Sequence, residues 1–395
     1  MISKQDAWPD GRVGAESFPL GLTHMYKNLW YVAAFSDELH DKPHKVRMLS
    51  RDFVLFRDAD NKAVCLSNVC PHRGISLAQG KCFEDGTIQC PQHGWRFGAD
   101  GRCQAIPSQG DNGKIPPGAK VDAYPTYEEH GLIWTFLGDN PQLAPPVPAT
   151  PECDLPGWRT ITHGEVWDCN VHWAKFSNID LVHVPIVHGQ SFVGCFTPEE
   201  EITCPDDYTI ASKIVTPMQQ PKGDWGELRE ATKNIVSTLT FYASGFTLKG
   251  HVEIGGEGSG VFITFYETAT PIDEEATHMR FLFARNFMAE AEHDADTLKR
   301  NLKNVTEDRL LAETQLPKRG PVRPDRRDLL VDPDDTLLKG YWRIMDRLHG
   351  SGNKIDMAAL EEIDNGHRYC AIPSPARVAD SGDWVHDTVP TSDPV

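Results

Sequence analysis

Two short segments carry residue types that bind soft or borderline metals. Cys70-Pro71-His72-Arg73-Gly74 is separated by seventeen residues from Cys90-Pro91-Gln92-His93-Gly94-Trp95, counting between His72 and Cys90. Each segment offers one thiolate and one imidazole, a donor set that suits zinc in Cys2His2 geometry or an iron–sulfur cluster. The Pro after each Cys and the Gly closing each box favour tight loops that aim ligands from two hairpin tips at one point. A second constellation lies in Trp173–His188, where Asp180, His183 and His188 interrupt an otherwise apolar run. Asp180 and His183 are one helical turn apart and share a face. His188 is five residues further on, but Pro185 breaks the regular turn and brings it back toward the same point. Two imidazoles in apolar surroundings need partners, and a metal ion is the simplest.

These residues need a scaffold, and the pattern around them supplies one. From Asn28 the chain reads NLWYVAAF, VRMLSRDFVLFRD, KAVCLSN, GTIQC, WRFGADGRC and GLIWTFLGD, short apolar or alternating runs divided by Asp, Asn and Gly turns. That is the pattern of a small all-β domain. Six prolines between 141 and 156 mark a stiff boundary. Beyond it, STLTFYASGFTLKGHVEI and GVFITFYETATPI read as long neighbouring antiparallel strands joined through the Gly-rich turn at 255–260. That turn opens no helix, so it is not a dinucleotide loop. Phe287 to Leu316 reads as helix, ended by Pro317, and a second helix is expected around Leu337–Leu348. Cys169 and His172 fall on an expected strand, on opposite faces. The last residues read as an extended tail, and Lys318–Arg327 as a basic, solvated loop.

Composition narrows the function classes. With 39 basic and 57 acidic residues the net charge is −18, which disfavours nucleic acid and anionic membranes as partners. No apolar stretch approaches the roughly 18 residues of a membrane span, and the start resembles no cleaved targeting sequence, so a soluble cytoplasmic protein is expected. Ten cysteines in 395 residues are too few for a disulfide scaffold. Cys65, Cys82 and Cys103, near the first motif, read as small hydrophobes.

The arrangement C-x-H-x17-C-x2-H, flanked as CPHRG and CPQHGW, closely resembles the Rieske [2Fe–2S] motif. The D-x2-H-x4-H arrangement about ninety residues later resembles the mononuclear iron site of Rieske non-haem iron oxygenases, of the vanillate O-demethylase, phthalate oxygenase and pheophorbide-type group. The resemblance implies that Cys70 and Cys90 bind one iron of the cluster and His72 and His93 the other. The extra cysteines of the respiratory-chain class are replaced here by residues such as Ile75 and Gln92. It further implies that His183 and His188 bind Fe(II) with a distant carboxylate in a facial triad, and that Asp180 bridges the two centres. Asp308 is the expected third ligand, since it lies on the apolar stripe of Leu298, Leu302, Val305 and Ala312. Glu307, about 100° round the helix, should face outward. Asp294, near the helix start, is accounted for by the dipole. The family commonly has Asn three residues before the bridging Asp, where this chain has Ser177 with Asn178 beside it.

The family fold is α+β: an N-terminal all-β Rieske domain (26–140) and a catalytic domain (141–380) with an antiparallel sheet flanked by helices, between an N-terminal extension (1–25) and a C-terminal tail (381–395). The implied function is that of a terminal oxygenase. It would use O2 and electrons from a separate NAD(P)H-dependent flavin or iron–sulfur reductase, directly or through a ferredoxin. Its substrate would be an aromatic small molecule, carboxylated ones included, that is hydroxylated or oxidatively demethylated. Cis-dihydroxylation of a ring and pure electron carriage are the alternatives. Family enzymes are head-to-tail trimers in which His93 of one subunit would meet Asp180 of the next.

Overall fold

The computed structural model describes residues 25–110, 113–180, 182–189, 199–216, 234–320, 336–366, 368–380 and 382–392. Two compact units result, one from Pro148–Ala269 and Glu275–Arg347, the other from Gly21–Val147, Thr270–Glu274 and Leu348–Val395. Among the described residues no helix is long and apolar enough to cross a membrane.

The unit containing the cysteine motifs is built of short strands: β1 (Leu29–Phe35), β2 (His44–Met48), β3 (Arg51–Arg57), β4 (Ala63–Ser67), β5 (Lys81–Cys82), β6 (Ile88–Gln89), β7 (Arg96–Phe97), β8 (Cys103–Ala105), β9 (Ala123–Tyr124), β10 (Thr126–Glu129) and β11 (Leu132–Leu137). They form sheets in the orders β1-β11-β10, β2-β3-β4-β9 and β5-β6-β7-β8. In β2 the alternation is plain, Val46 and Met48 being buried while Lys45 and Arg47 are exposed. β4 is buried at every residue, as an interior strand must be. The loop at Cys70–Gly74 follows β4 and that at Cys90–Trp95 joins β6 to β7, beside a core of Phe56, Leu66, Leu77, Ile88 and Phe97. Cys65 and Cys103 are buried in this unit and Cys82 packs against that core, as expected of small hydrophobes.

The other unit contains β12 (Arg159–Trp167), α1 (Val171–Ile179), α2 (Val184–Val187), β13 (Glu199–Asp206), β14 (Thr209–Thr216), β15 (Ile235–Tyr242), β16 (Thr247–Glu253), β17 (Phe262–Pro271), β18 (Thr277–Arg285), α3 (Asp294–Ala312) and α4 (Thr336–Gly350). Its seven-stranded sheet runs β12-β18-β17-β16-β15-β14-β13. With helices against it, the fold is α+β. The run STLTFYASGFTLKGHVEI is not one strand but most of the β15–β16 hairpin, turned where Gly245 adopts φ 62°. An apolar turn hid the break, because Ala243 and Phe246 are buried like the strands they join. In the turn at 255–260, Glu253 accepts the amides of Gly258 (3.0 Å) and Gly260 (2.8 Å).

Two further expectations are corrected. Cys169 and His172 do not alternate on a strand, because Asn170 caps α1 by accepting the His172 amide at 3.0 Å. The C-terminal segment is extended but packed: after α5 (Met357–Asn365), β19 (Cys370–Ala371) pairs in parallel with β20 (Asp387–Thr388), with α6 (Pro375–Ala379) between them. Buried Asp122 anchors it by accepting from Ser374 and from both Arg377 Nε (2.8 Å) and Nη2 (2.7 Å). Of the basic run, Lys318 donates to the Asp168 and Glu313 carbonyls and Arg319 pairs with Glu275. Its residues from 321 onward lie outside the described set.

Candidate metal centres

The two cysteine loops are built alike. In the first, the Cys70 amide donates to the Ile75 carbonyl (2.9 Å) and the Gly74 amide to that of Cys70 (2.9 Å). In the second, Cys90 and Gly94 repeat the pattern with Trp95 and Cys90 at 2.8 and 3.1 Å. Gly74 and Gly94 adopt φ of 71° and 75°, the left-handed conformation that closes each turn without a Cβ penalty. The Cys70 and Cys90 thiols are buried and in contact, and burial raises Cys70 to about 12. The His72 and His93 rings meet edge to face at 4.5 Å. Trp95 stacks on His72 at 4.6 Å with the planes 5° apart.

Thiol therefore faces thiol and imidazole faces imidazole, the pairing a two-iron group requires when one iron takes sulfur and the other nitrogen. His72 Nδ1 is buried without a hydrogen-bond partner. A ligating nitrogen has its lone pair aimed at such a place.

The second site sits where α1, α2 and α3 converge. Asp180 ends α1, His183 precedes α2, whose first turn contains Pro185, and His188 follows it. α3 brings Asp308, buried with Thr297, Val305 and Ala312 on one stripe. His183 Nε2, His188 Nε2 and Asp308 Oδ1 form a triangle with edges of 3.3, 3.5 and 3.0 Å. Donors at right angles on a metal shell of about 2.1 Å lie about 3 Å apart, so one ion fits all three from the same side. Asp308 Oδ1 is buried and accepts no hydrogen bond, although His188 Nε2 is 3.0 Å away. Among the described residues this trio is the one set of three or more His, Cys, Asp or Glu residues whose ligand atoms gather within 4.8 Å of one another.

The electrostatics agree with a cation at the centre. Burial works against charge on His183, but Asp180 and Asp308 outweigh it and raise the imidazole to about 9. His188 is raised likewise against its burial, by Asp308 and Glu307. Burial would lift Asp308, yet the two imidazoles hold its carboxyl below the usual range.

Glu307 does not face outward. Its Oε2 lies 2.8 Å from His188 Nδ1, on the side of the ring away from Asp308. A Glu side chain has enough rotatable bonds to reach across the helix surface, and His188 lies off the Asp308 stripe, within its reach. Asp180 Oδ2 lies 3.7 Å from His183 Nδ1 and its other oxygen accepts the Val182 amide at 2.8 Å. Asn178 is directed away from Asp180, donating instead to Glu267 on β17. Glu267 in turn faces Lys175, which is fully buried in α1 at 3.9 Å and also donates to the Glu267 carbonyl at 3.1 Å. Asp294 opens α3 and pairs with Arg159 (2.6 Å) and Arg285 (2.8 Å), a structural role.

Comparison with known proteins follows the same division. Residues 29–125 match the Rieske [2Fe-2S] domain, and residues 177–349 match the vanillate O-demethylase oxygenase C-terminal domain. Together they cover more than half of the chain, in the order the two motifs occur. The chain belongs to the Rieske non-haem iron oxygenases.

A Comamonas testosteroni relative, the putative toluene-4-sulfonate monooxygenase system iron-sulfur subunit TsaM2, is 29% identical over 342 residues, 82% of this chain and 97% of its own. Chlorophyllide a oxygenase of Arabidopsis thaliana is 36% identical over 169 residues, but those are 42% of this chain and only 30% of that protein. The crystal structure of dicamba monooxygenase with non-haem iron and dicamba has 25% identity and a TM-score of 0.66, covering 82% of this chain and 96% of that one. The family's cofactors are a [2Fe–2S] cluster and non-haem iron. Relatives are named as oxygenase components, parts of systems with more than one protein.

Sequence reasoning turned Glu307 outward and gave no role to Trp95 or to the Lys175–Glu267 pair. For Glu307 a signal existed, since a metal-bound His is held by an acceptor on its other nitrogen. Lys175 and Glu267 lie 92 residues apart and nothing in either segment announces the other.

Proposed function

We propose that this chain is the terminal oxygenase of a cytoplasmic multicomponent system, hydroxylating or oxidatively demethylating an aromatic small molecule. The observation that carries the reading is the triangle of His183, His188 and Asp308 in a chain that also contains the paired thiols and imidazoles of a Rieske motif. Cys70, Cys90, His72 and His93 would hold the [2Fe–2S] cluster, and His183, His188 and Asp308 the Fe(II). When bound, these groups supply one-electron transfer and activation of O2. Electrons come from an NAD(P)H-dependent flavin or iron–sulfur reductase, directly or through a ferredoxin.

The chain's own residues prepare the site. Glu307 accepts the Nδ1 proton of His188, which leaves the Nε2 lone pair toward Asp308. Asp180 stands at the corresponding nitrogen of His183 and, with a side chain 35% exposed, stays accessible for contact with a neighbouring subunit. His93 is exposed as well, which supports a head-to-tail homotrimer in which His93 of one subunit meets Asp180 of the next. Trp95 backs His72 with a flat apolar face and limits water around the cluster loop.

A single-turnover assay tests the reading: the protein is reduced chemically, labelled O2 is admitted, and methoxylated, N-methylated and carboxylated aromatics are screened by product mass. One labelled oxygen, or methyl lost as formaldehyde, is the expected outcome. Two labelled oxygens on a ring would move the protein to the dihydroxylating enzymes. Reoxidation without labelled product from any ring would overturn the proposal.

A further inference from the structure

The Cys70 and Cys90 loops make the same turn, but their bases differ. β6 and β7 pair on either side of the Cys90 loop, with Gln89 opposite Arg96, so a hairpin closes it. The Cys70 loop leaves β4 at Ser67 and is followed by a single turn at Leu77–Gln79 in place of a partner strand. One isolated bridge, Val69 to Ser76, spans its base. Buried Asn68 reinforces it by donating to Ser76 Oγ (2.9 Å) and accepting the Ala78 amide (2.8 Å). A further contact arrives from 317 residues along the chain, where His386 Nε2 lies 3.3 Å from the Val69 carbonyl. A carbonyl oxygen only accepts, so the proton is on Nε2.

His386 is itself held in place. Arg377, paired with buried Asp122, donates to the His386 carbonyl at 3.0 Å. Two residues earlier, the Trp384 ring carries the Arg377 guanidinium at 4.3 Å and the Lys120 ammonium at 4.5 Å from its centroid. The Tyr369 ring meets the His386 imidazole edge to face at 5.0 Å, and the Tyr369 hydroxyl lies 3.1 Å from Ser67 Oγ. The C-terminal segment therefore grips the chain at Ser67 and Val69, on both sides of Asn68 and just before Cys70. Burial keeps the His386 imidazole below its ordinary range, so at neutral pH it is an uncharged single donor.

We propose that His386 is a positioning residue for the iron–sulfur cluster, orienting the Val69–Cys70 peptide and making the cluster easier to reduce. This rests on the reading that Cys70, His72, Cys90 and His93 hold that cluster. The peptide is fixed at both ends, its carbonyl accepting from His386 and its N–H donating to the Ile75 carbonyl at 2.9 Å. A peptide whose carbonyl accepts a hydrogen bond has a more strongly polarised N–H. Here that N–H belongs to the residue whose sulfur would bind iron, and its positive end favours the added electron.

The test uses the cluster-containing full chain, titrated with reductant against a redox dye while the cluster is followed by its visible circular dichroism. Cluster loss is timed separately in excess chelator. His386→Phe keeps a ring against Tyr369 but has no donor. It should lower the equilibrium constant for reduction about threefold and speed cluster loss about tenfold. His386→Gln keeps an N–H donor and should stay within about twofold of the unmodified protein in both measurements. A His386→Phe variant that is reduced as easily as the unmodified protein, or more easily, would overturn the proposal. So would a His386→Gln variant that departs as far as His386→Phe, or loss of the cluster from both. A His386→Phe variant that holds no cluster, beside a His386→Gln variant with the unmodified equilibrium, would support it, since the donor alone separates them. An unmodified protein without a Rieske spectrum would overturn the cluster assignment as well, whereas a normal spectrum with unresponsive variants would strike the role of His386 alone.

Discussion

Replacing Glu307 tests whether this carboxylate, one residue from the proposed ligand Asp308, acts on a bound metal through His188. Its Oε2 is 2.8 Å from His188 Nδ1, a charge-assisted hydrogen-bond distance, and its side chain is 29% exposed. Losing an acceptor of this kind behind a ligating histidine typically weakens metal binding 10–100-fold, about 1.4–2.7 kcal/mol. Partial exposure lets water replace some of the interaction, so Glu307→Ala should fall near the lower end, about tenfold. Glu307→Gln keeps an acceptor without the charge and should lose about threefold. Asp308→Ala removes a direct donor from the triangle and should lose mononuclear iron outright. The assay is iron retained per chain during dialysis against graded chelator, with the visible spectrum of the cluster as an internal control, since none of the three variants alters Cys70 or Cys90. If Glu307→Ala retained iron like the unmodified protein, the His188 contact would be incidental and the argument from it would fail. If Asp308→Ala retained it, the triangle itself would be misread.

Other expectations can be checked separately. His72→Ala should abolish the cluster's visible absorption, and a retained spectrum would remove His72 from the ligand set. Asp180→Asn should keep both metals yet slow reoxidation of the cluster by substrate and O2; unchanged turnover would count against a bridging role. Lys175→Met leaves Glu267 buried without its cation and should cost about 3–5 kcal/mol of stability, whereas Lys175→Met with Glu267→Leu should recover most of it. Thermal melts that rank the double variant no better than the single one would refute that account of the pair.

Much of this was legible in the chain itself, because metal ligands are recognisable by type and short-range spacing. Cys70, His72, Cys90 and His93 lie in two loops whose Pro and Gly punctuation already specifies tight turns, and the hydrogen bonds of the two turns match one another. The small strands around them alternate clearly, so the all-β character could be read directly. Asp308 could be chosen over Asp294 because a carboxylate on an apolar helical stripe demands a partner.

Tertiary structure alone decided what lies at right angles to the chain. Helical periodicity sends Glu307 outward, but it counts only the axis of α3 and not the His188 ring within reach of its flank. The β15–β16 turn was hidden because its residues are as buried as the strands. Lys175, Asn178 and Glu267 became one group only when α1 was laid on the sheet, since a buried charge finds its partner by packing and not by sequence distance. Short-range spacing encodes ligands that must reach one atom together. Their supports come from whichever element is packed beside them, and that depends on the whole fold.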